Sequence, residues 1–407
     1  MVVDTKTKVL ALASAGLMAC GTARGLEGLP ATGDVVFLAT PSGLQALATD
    51  SGSIERELPG GKAAPGFEVL VSSVPDGSFT KVTRLSPDGE ILSRTMVEGD
   101  VTARVVTDDL VALGDAESSG ETPYLPAPKL NTNIVILDDS GAQRTYRLSG
   151  NFEPEAFKVD GSELFMIQYL PALAPERYRV RRLRLDDGAV RPIGRLKLNA
   201  PGQMQGTGRT QALSPWGDEL YTLYTQQIDA GHDADHHAAN DAVAGHAFVH
   251  MLNLADGWAH CIDLPAVFAS GSATASAIAV NPAGDRVFVA DWTHGAVSAL
   301  NPRRARVIDT AEVSFGSSDA TTFAVATPER LFVAGSSDVV VLDPRTFEVL
   351  DSWSYATEIT GMSLSDDRLY VSTADEIVAV DPDSGASLAT FDPHGAMGIE
   401  GVLPVSR

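Results

Sequence analysis

Cysteine and basic side chains are both in short supply, and each shortage excludes something. Only two cysteines occur, Cys20 and Cys261, too few for a disulfide scaffold, so a chain of 407 residues must be held by its core. Thirty Lys and Arg stand against 53 Asp and Glu, a formal charge of −23. Phosphate binding needs a basic surface, so nucleic acid is excluded as a partner, while cations and metal ions fit. No apolar run of about 18 residues follows the first twenty positions, so the body of the chain does not span a bilayer. There is no GxSxG elbow, HExxH, Walker A or GxGxxG after a strand, and "GTG" at 206–208 is too short to count. No amphipathic helix of about ten residues is legible either, which disfavours a helical repeat.

The N-terminus reads as a targeting segment. Lys6 and Lys8 precede the apolar run Val9 to Ala19, "VLALASAGLMA", too short for a membrane span but suited to a secretory signal. It ends in "LMAC", Leu17 to Cys20, which resembles the bacterial lipoprotein cleavage box. That resemblance implies a signal peptide over 1–19, lipid on Cys20, a short linker over 20–33, and attachment outside the cytoplasmic membrane or in the outer membrane and periplasm. Met18 is bulkier than the box usually carries, and a plainly secreted protein is the alternative. Cys261, in "WAHCIDLP", reads as a small buried hydrophobe.

From residue 34 to the end one phrase recurs, with its clearest copies at 276–313, 322–353 and 361–391, spaced by roughly 40 residues. An apolar strand leads through a turn such as "NPAGDR", "SPWGDE" or "VDGSE" to a β-branched and aromatic strand. A loop follows, then an alternating strand ending in "LDPRTF", "VDPDSG" or "LDDSGA", then a more polar strand. Proline presets φ and glycine supplies positive φ in such turns, and "VSALN", "VVVLD" and "IVAVD" alternate with period two. A four-stranded sheet of this size cannot bury both faces alone, whereas radial stacking lets each sheet cover the next. The fold class is therefore all-β, a β-propeller of four-stranded blades in one domain over 34–407. Units begin near 34, 66, 103, 155, 210, 276, 322 and 361, which gives eight blades; the irregular unit at 66–98 keeps seven as the alternative. The first unit lacks its inner strand, and the orphan "GIEGVLPV" at 398–405 is expected to complete it and close the ring.

The phrase "NPAGDRVFVADWTHGAVSALNP" at 281–302 resembles the YVTN-type propeller repeat, a family that includes lactonase-like propellers and exported binding proteins. The resemblance implies fold and export but fixes no activity. A lactonase-like site would need carboxylates and a base at the central channel, for which Glu153, Glu155, Arg209 and Glu400 are the candidates. Ordinary turn and rim residues are the plainer reading of all four.

The other candidate site is "GHDADHHAANDAVAGHAFVH", 231–250, which holds five of the eight histidines. Labelling the strands of each blade A to D from the channel outward, this stretch is an enlarged B–C loop, an insertion over 226–246. His294 falls in the next B–C loop and His394 in a D–A connection, so His232, His236, His237, His246, His294 and His394 are all expected on one face. Imidazole and carboxylate suit Zn²⁺, and His232, Asp233, Asp235, His236, His237, His246 and His294 form the candidate metal set. Exported zinc-chaperone propellers are similar in combining His/Asp-rich loops with a histidine after strand B. A solvated loop too polar to order itself is the competing reading. The spacing lacks the Gly and terminal Glu of an EF-hand. The sequence thus points to a monomeric, exported, lipid-anchored and non-enzymatic propeller that binds a metal, small ligand or protein on its B–C/D–A face. A lactonase-like hydrolase and a pure interaction scaffold are the alternatives.

Overall fold

The computed structural model describes residues 33–116, 126–195, 203–204, 208–227, 246–272, 274–316 and 320–404. Cys20 and the whole signal segment lie outside the described residues.

Eight sheets, each with four antiparallel strands, form eight blades. Blade 6 shows the plan, with strands Ser276–Val280, Val287–Asp291, Ala296–Asn301 and Arg306–Glu312 in order from the channel outward. The irregular unit is also a full blade. Its inner strand is only Lys62–Ala63, paired with Leu70–Asp76, which is why its sequence reads poorly. Blade 5 carries a fifth strand, Gly194–Arg195, running parallel to its outer strand Trp258–Asp263. Among the described residues the only helical pieces are two 3-10 turns, Ala266–Ala269 and Pro302–Arg304, and no helix is long and apolar enough to cross a membrane.

The turn chemistry that marks the repeat is visible atom by atom. At the C–D turns, Asp343 Oδ1 accepts from the amides of Arg345 at 2.7 Å and Thr346 at 2.9 Å. Asp381 Oδ1 accepts from Asp383 and Ser384 in the same way. These backbone donors hold both carboxyls below the usual carboxylate range. At the A–B turns Asn281 Oδ1 takes the amides of Asp285 and Arg286, and Ser214 Oγ those of Asp218 and Glu219. Each side chain thus replaces a missing strand partner where the chain reverses.

Alternation along each strand divides the apolar residues between the two neighbouring blades. In Val35–Thr40, Val35 and Phe37 enter the core shared with blade 2, while Val36 and Leu38 enter the core shared with blade 8. The result is eight separate hydrophobic clusters, one between each pair of adjacent blades. Each fully buried Val, Leu or Phe is worth about 1.5–3 kcal/mol. The ring closes where the C-terminal strand Gly398–Leu403 pairs with Val35–Thr40 as the innermost strand of blade 1. Asp34, 6% exposed, latches the same seam by accepting from Tyr370 Oη at 2.6 Å and Ser365 Oγ at 3.0 Å, both of blade 8.

Blade 5 buries two histidines, His250 and His260, at 6% and 8% exposure. Burial, aided by His260, pushes His250 down to about 4 from 6.5. The unfolded chain accepts this proton at the ordinary value and the folded chain refuses it until about pH 4, so stability falls as pH drops through that window. Loss of about 3 kcal/mol accompanies the full descent. Urea titrations at pH 7 and pH 4.5 are expected to show a smaller acid-induced loss in His250→Leu than in the wild type; equal losses would refute the assignment.

Candidate functional site

The inner strands bear the channel candidates. Glu153 and Glu155 lie on Asn151–Phe157 of blade 4, Arg209 on Gly208–Leu213 of blade 5, and Glu400 on the closing strand of blade 1. Blades 1 and 5 stand opposite each other in an eight-membered ring, which separates Glu400 from Arg209 by the channel. Tyr169 Oη donates to Glu153 Oε2 at 2.5 Å, and the Gln211 amide donates to Glu155 and to Thr222 Oγ1. Both glutamates are thus held by polar neighbours on the inner and second strands.

The histidine face takes shape differently. His232, Asp233, Asp235, His236 and His237 lie outside the described residues. His246 belongs to the sheet rather than to a loop, as the first residue of His246–Asn253, with its backbone paired to Gln227. The insertion is correspondingly shorter than 226–246, because Gln226 and Gln227 still belong to Glu219–Gln227. His394 occupies the connection from blade 8 into the closing strand, with a positive φ of 50°, two blades further round than His294. Among the described residues, no group of three or more His, Cys, Asp or Glu side chains is placed to hold a metal ion.

His294 sits in the tight B–C turn of blade 6, where the side chains of Asp291 and Ser270 hold it. Asp291, the last residue of strand B, is fully buried and accepts from Ser276 Oγ through Oδ2 at 2.8 Å. Its Oδ1 accepts the His294 amide at 2.8 Å and faces His294 Nδ1 at 3.0 Å. A buried carboxylate in this position sets the tautomer, with the proton on Nδ1 and the lone pair on Nε2. Nε2 meets Ser270 Oγ, from the D–A connection between blades 5 and 6, at 3.2 Å. Trp292, fully buried, pins the turn by stacking on Phe315 with centroids 5.0 Å apart, and Gly335 of blade 7 leaves the room the indole occupies. Among the described residues, the buried Trp292 Nε1 and Thr293 Oγ1 meet no hydrogen-bond partner.

The root of the insertion abuts this site. Gln226 donates its side-chain amide to the carbonyl of Gly271, and a Cβ on Gly271 would lie 2.9 Å from His294 Cε1. A residue with φ of +101° and no room for a side chain is where glycine is required. Sequence reading found His294 but missed Asp291 and Ser270. Asp291 reads as one more strand residue in "VFVAD", and Ser270 stands 24 positions away with no motif around it.

No family model and no curated protein sequence matches the chain. Solved structures do resemble it. Saccharomyces cerevisiae Sqt1 is 9% identical over 81% of this chain and 83% of its own, with a TM-score of 0.50. Dihydro-heme d1 dehydrogenase NirN, solved in complex with DHE, is 13% identical over 92% of this chain and 75% of its own, with the same score. BamB from Moraxella catarrhalis is 16% identical over 84% and 94%, at a TM-score of 0.46. At these identities the likeness concerns the fold alone.

Asp291→Ala would strip Ser276 and His294 of their acceptor inside the core, a loss of about 2–3 kcal/mol, whereas Ser270→Ala on the exposed connection should stay within about 0.5 kcal/mol. Urea unfolding of the two variants distinguishes them, and equal midpoints would show that Asp291 does not organise the turn.

Proposed function

We propose that this chain is an exported, lipid-anchored propeller that binds its ligand or partner on the B–C/D–A face over blades 5 and 6, and that the ligand is a divalent cation, Zn²⁺ fitting best. The observation that carries this reading is the placement of His294 at the root of the insertion. Its ring is oriented by a buried carboxylate through Nδ1, the second-sphere arrangement that raises the basicity of a metal-ligating imidazole. The Gln226–Gly271 contact ties the base of the His/Asp-rich segment to the wall of that ring. His232, Asp233, Asp235, His236, His237 and His246 would supply the remaining ligands, two or three at a time, with His294 as receiver or co-ligand. The net charge of −23 adds long-range attraction for a cation. Cys20 would carry the anchor.

Calorimetric titration of the mature chain with Zn²⁺ tests this. A sub-micromolar site is expected, abolished by deletion of 231–246 and weakened about 10- to 100-fold in Asp291→Asn, which loosens the ring's support. A missing site, or one unchanged after the deletion, rules the insertion out.

A further inference from the structure

We infer that Ser270, His294 and Asp291 form a nucleophilic centre that cleaves small uncharged carboxylic esters, an activity separate from metal binding. The three side chains stand in the order that activates a serine. Ser270 Oγ is 3.2 Å from His294 Nε2, and His294 Nδ1 is 3.0 Å from Asp291 Oδ1. The carboxylate is fully buried and held on its other oxygen by Ser276. This is the relation of nucleophile, base and orienting acid that defines such centres by geometry on unrelated folds, independent of sequence order. Ser270 is exposed, so a substrate can reach Oγ without any rearrangement of the core.

The backbone supplies what else the chemistry needs. Ser270 is extended, at φ −121° and ψ 174°, and the amides of Gly271 and Ser272 that follow it have no acceptor among the described residues. The amide just after a nucleophile is the usual first donor to an oxyanion. Gly271 cannot carry a side chain without meeting His294 Cε1, so the residue after Ser270 packs directly against the imidazole. The charge of −23 repels anionic acyl groups, so an uncharged ester is the substrate class that fits.

The reaction balances with water as the only co-reactant. As the bond from Ser270 Oγ to the acyl carbon forms, the hydroxyl proton passes to His294 Nε2. The ester C–O bond then breaks, and that proton leaves on the departing alcohol. Water, deprotonated at the same nitrogen, cleaves the acyl-serine to release the acid and return the proton to Ser270. Asp291 touches no substrate; it is a positioning residue that holds the tautomer and stabilises the transient imidazolium. A cation on Nε2 would remove the base, so the metal-free chain is the reactive one.

The test is labelling of the mature chain by a fluorophosphonate in EDTA, with the modified peptide located by mass spectrometry, alongside hydrolysis of p-nitrophenyl acetate. Label is expected on Ser270, lost in Ser270→Ala and slowed about 100-fold or more in His294→Gln, which keeps a hydrogen bond to Asp291 but cannot serve as the base. Asp291→Asn should slow labelling and move the acid limb of its pH profile to lower pH, because a neutral amide no longer supports the imidazolium; lost packing alone would leave that limb in place. Thermal melts confirm that the variants fold. Label absent from Ser270, or arriving equally fast in His294→Gln, overturns the inference. Labelling in EDTA judges the serine and the Zn²⁺ titration judges the metal, so either can fail alone.

Discussion

Every blade has two apolar faces, and neither can be covered by the blade itself. This constraint makes the ring obligatory. Eight cores lie between eight sheets, so a single break in the circle would expose two faces at once. The closing contact is therefore held in two ways, by backbone pairing of Gly398–Leu403 with Val35–Thr40 and by the buried Asp34 carboxylate reaching Tyr370 and Ser365. The first and last strands of the fold share one sheet, and with no disulfide in the ring, closure is the staple.

That closed circle turns loops into fixed addresses. The B–C turns and D–A connections open on one face whatever their sequences, so residues far apart in the chain meet where neighbouring blades touch. Ser270 leaves blade 5 and His294 turns within blade 6, and the two meet because the 5/6 core, with Phe268 fully buried in it, clamps both segments. Asp291 then converts position into chemistry. A carboxylate with no exposure is tolerable only when several donors surround it, and here those donors include the imidazole that faces solvent. The price of burying the charge is what orients His294.

Much of this was legible from residues alone, for reasons that differ by feature. The repeat could be read because turn chemistry is local: Asp343, Asp381, Asn281 and Ser214 satisfy amides within five positions of themselves. Closure by the C-terminal strand could be read because an orphan strand and a missing one must match. The two-residue inner strand Lys62–Ala63 and the parallel addition Gly194–Arg195 were not readable, since pairs that short carry no periodicity. His294 was found, being one histidine in a histidine-poor chain. Its partners were hidden, because a buried carboxylate looks like any strand-ending aspartate and a serine 24 residues away acquires meaning only from the packing of two blades. His246 was misplaced into a loop because its neighbours 231–245 are so polar that the strand's start is masked by composition.

Both chemistries proposed for this face need His294 to hold its proton on Nδ1, against Asp291, and a bare lone pair on Nε2. Long-range ¹H–¹⁵N correlation of histidine-labelled protein, with His294 assigned by its absence from His294→Gln, measures this directly at neutral pH. The arrangement predicts a protonated Nδ1 and an unprotonated Nε2 resonance that exchanges toward the opposite tautomer in Asp291→Asn. A wild-type spectrum with the proton on Nε2, or rapid averaging of both tautomers, would contradict it.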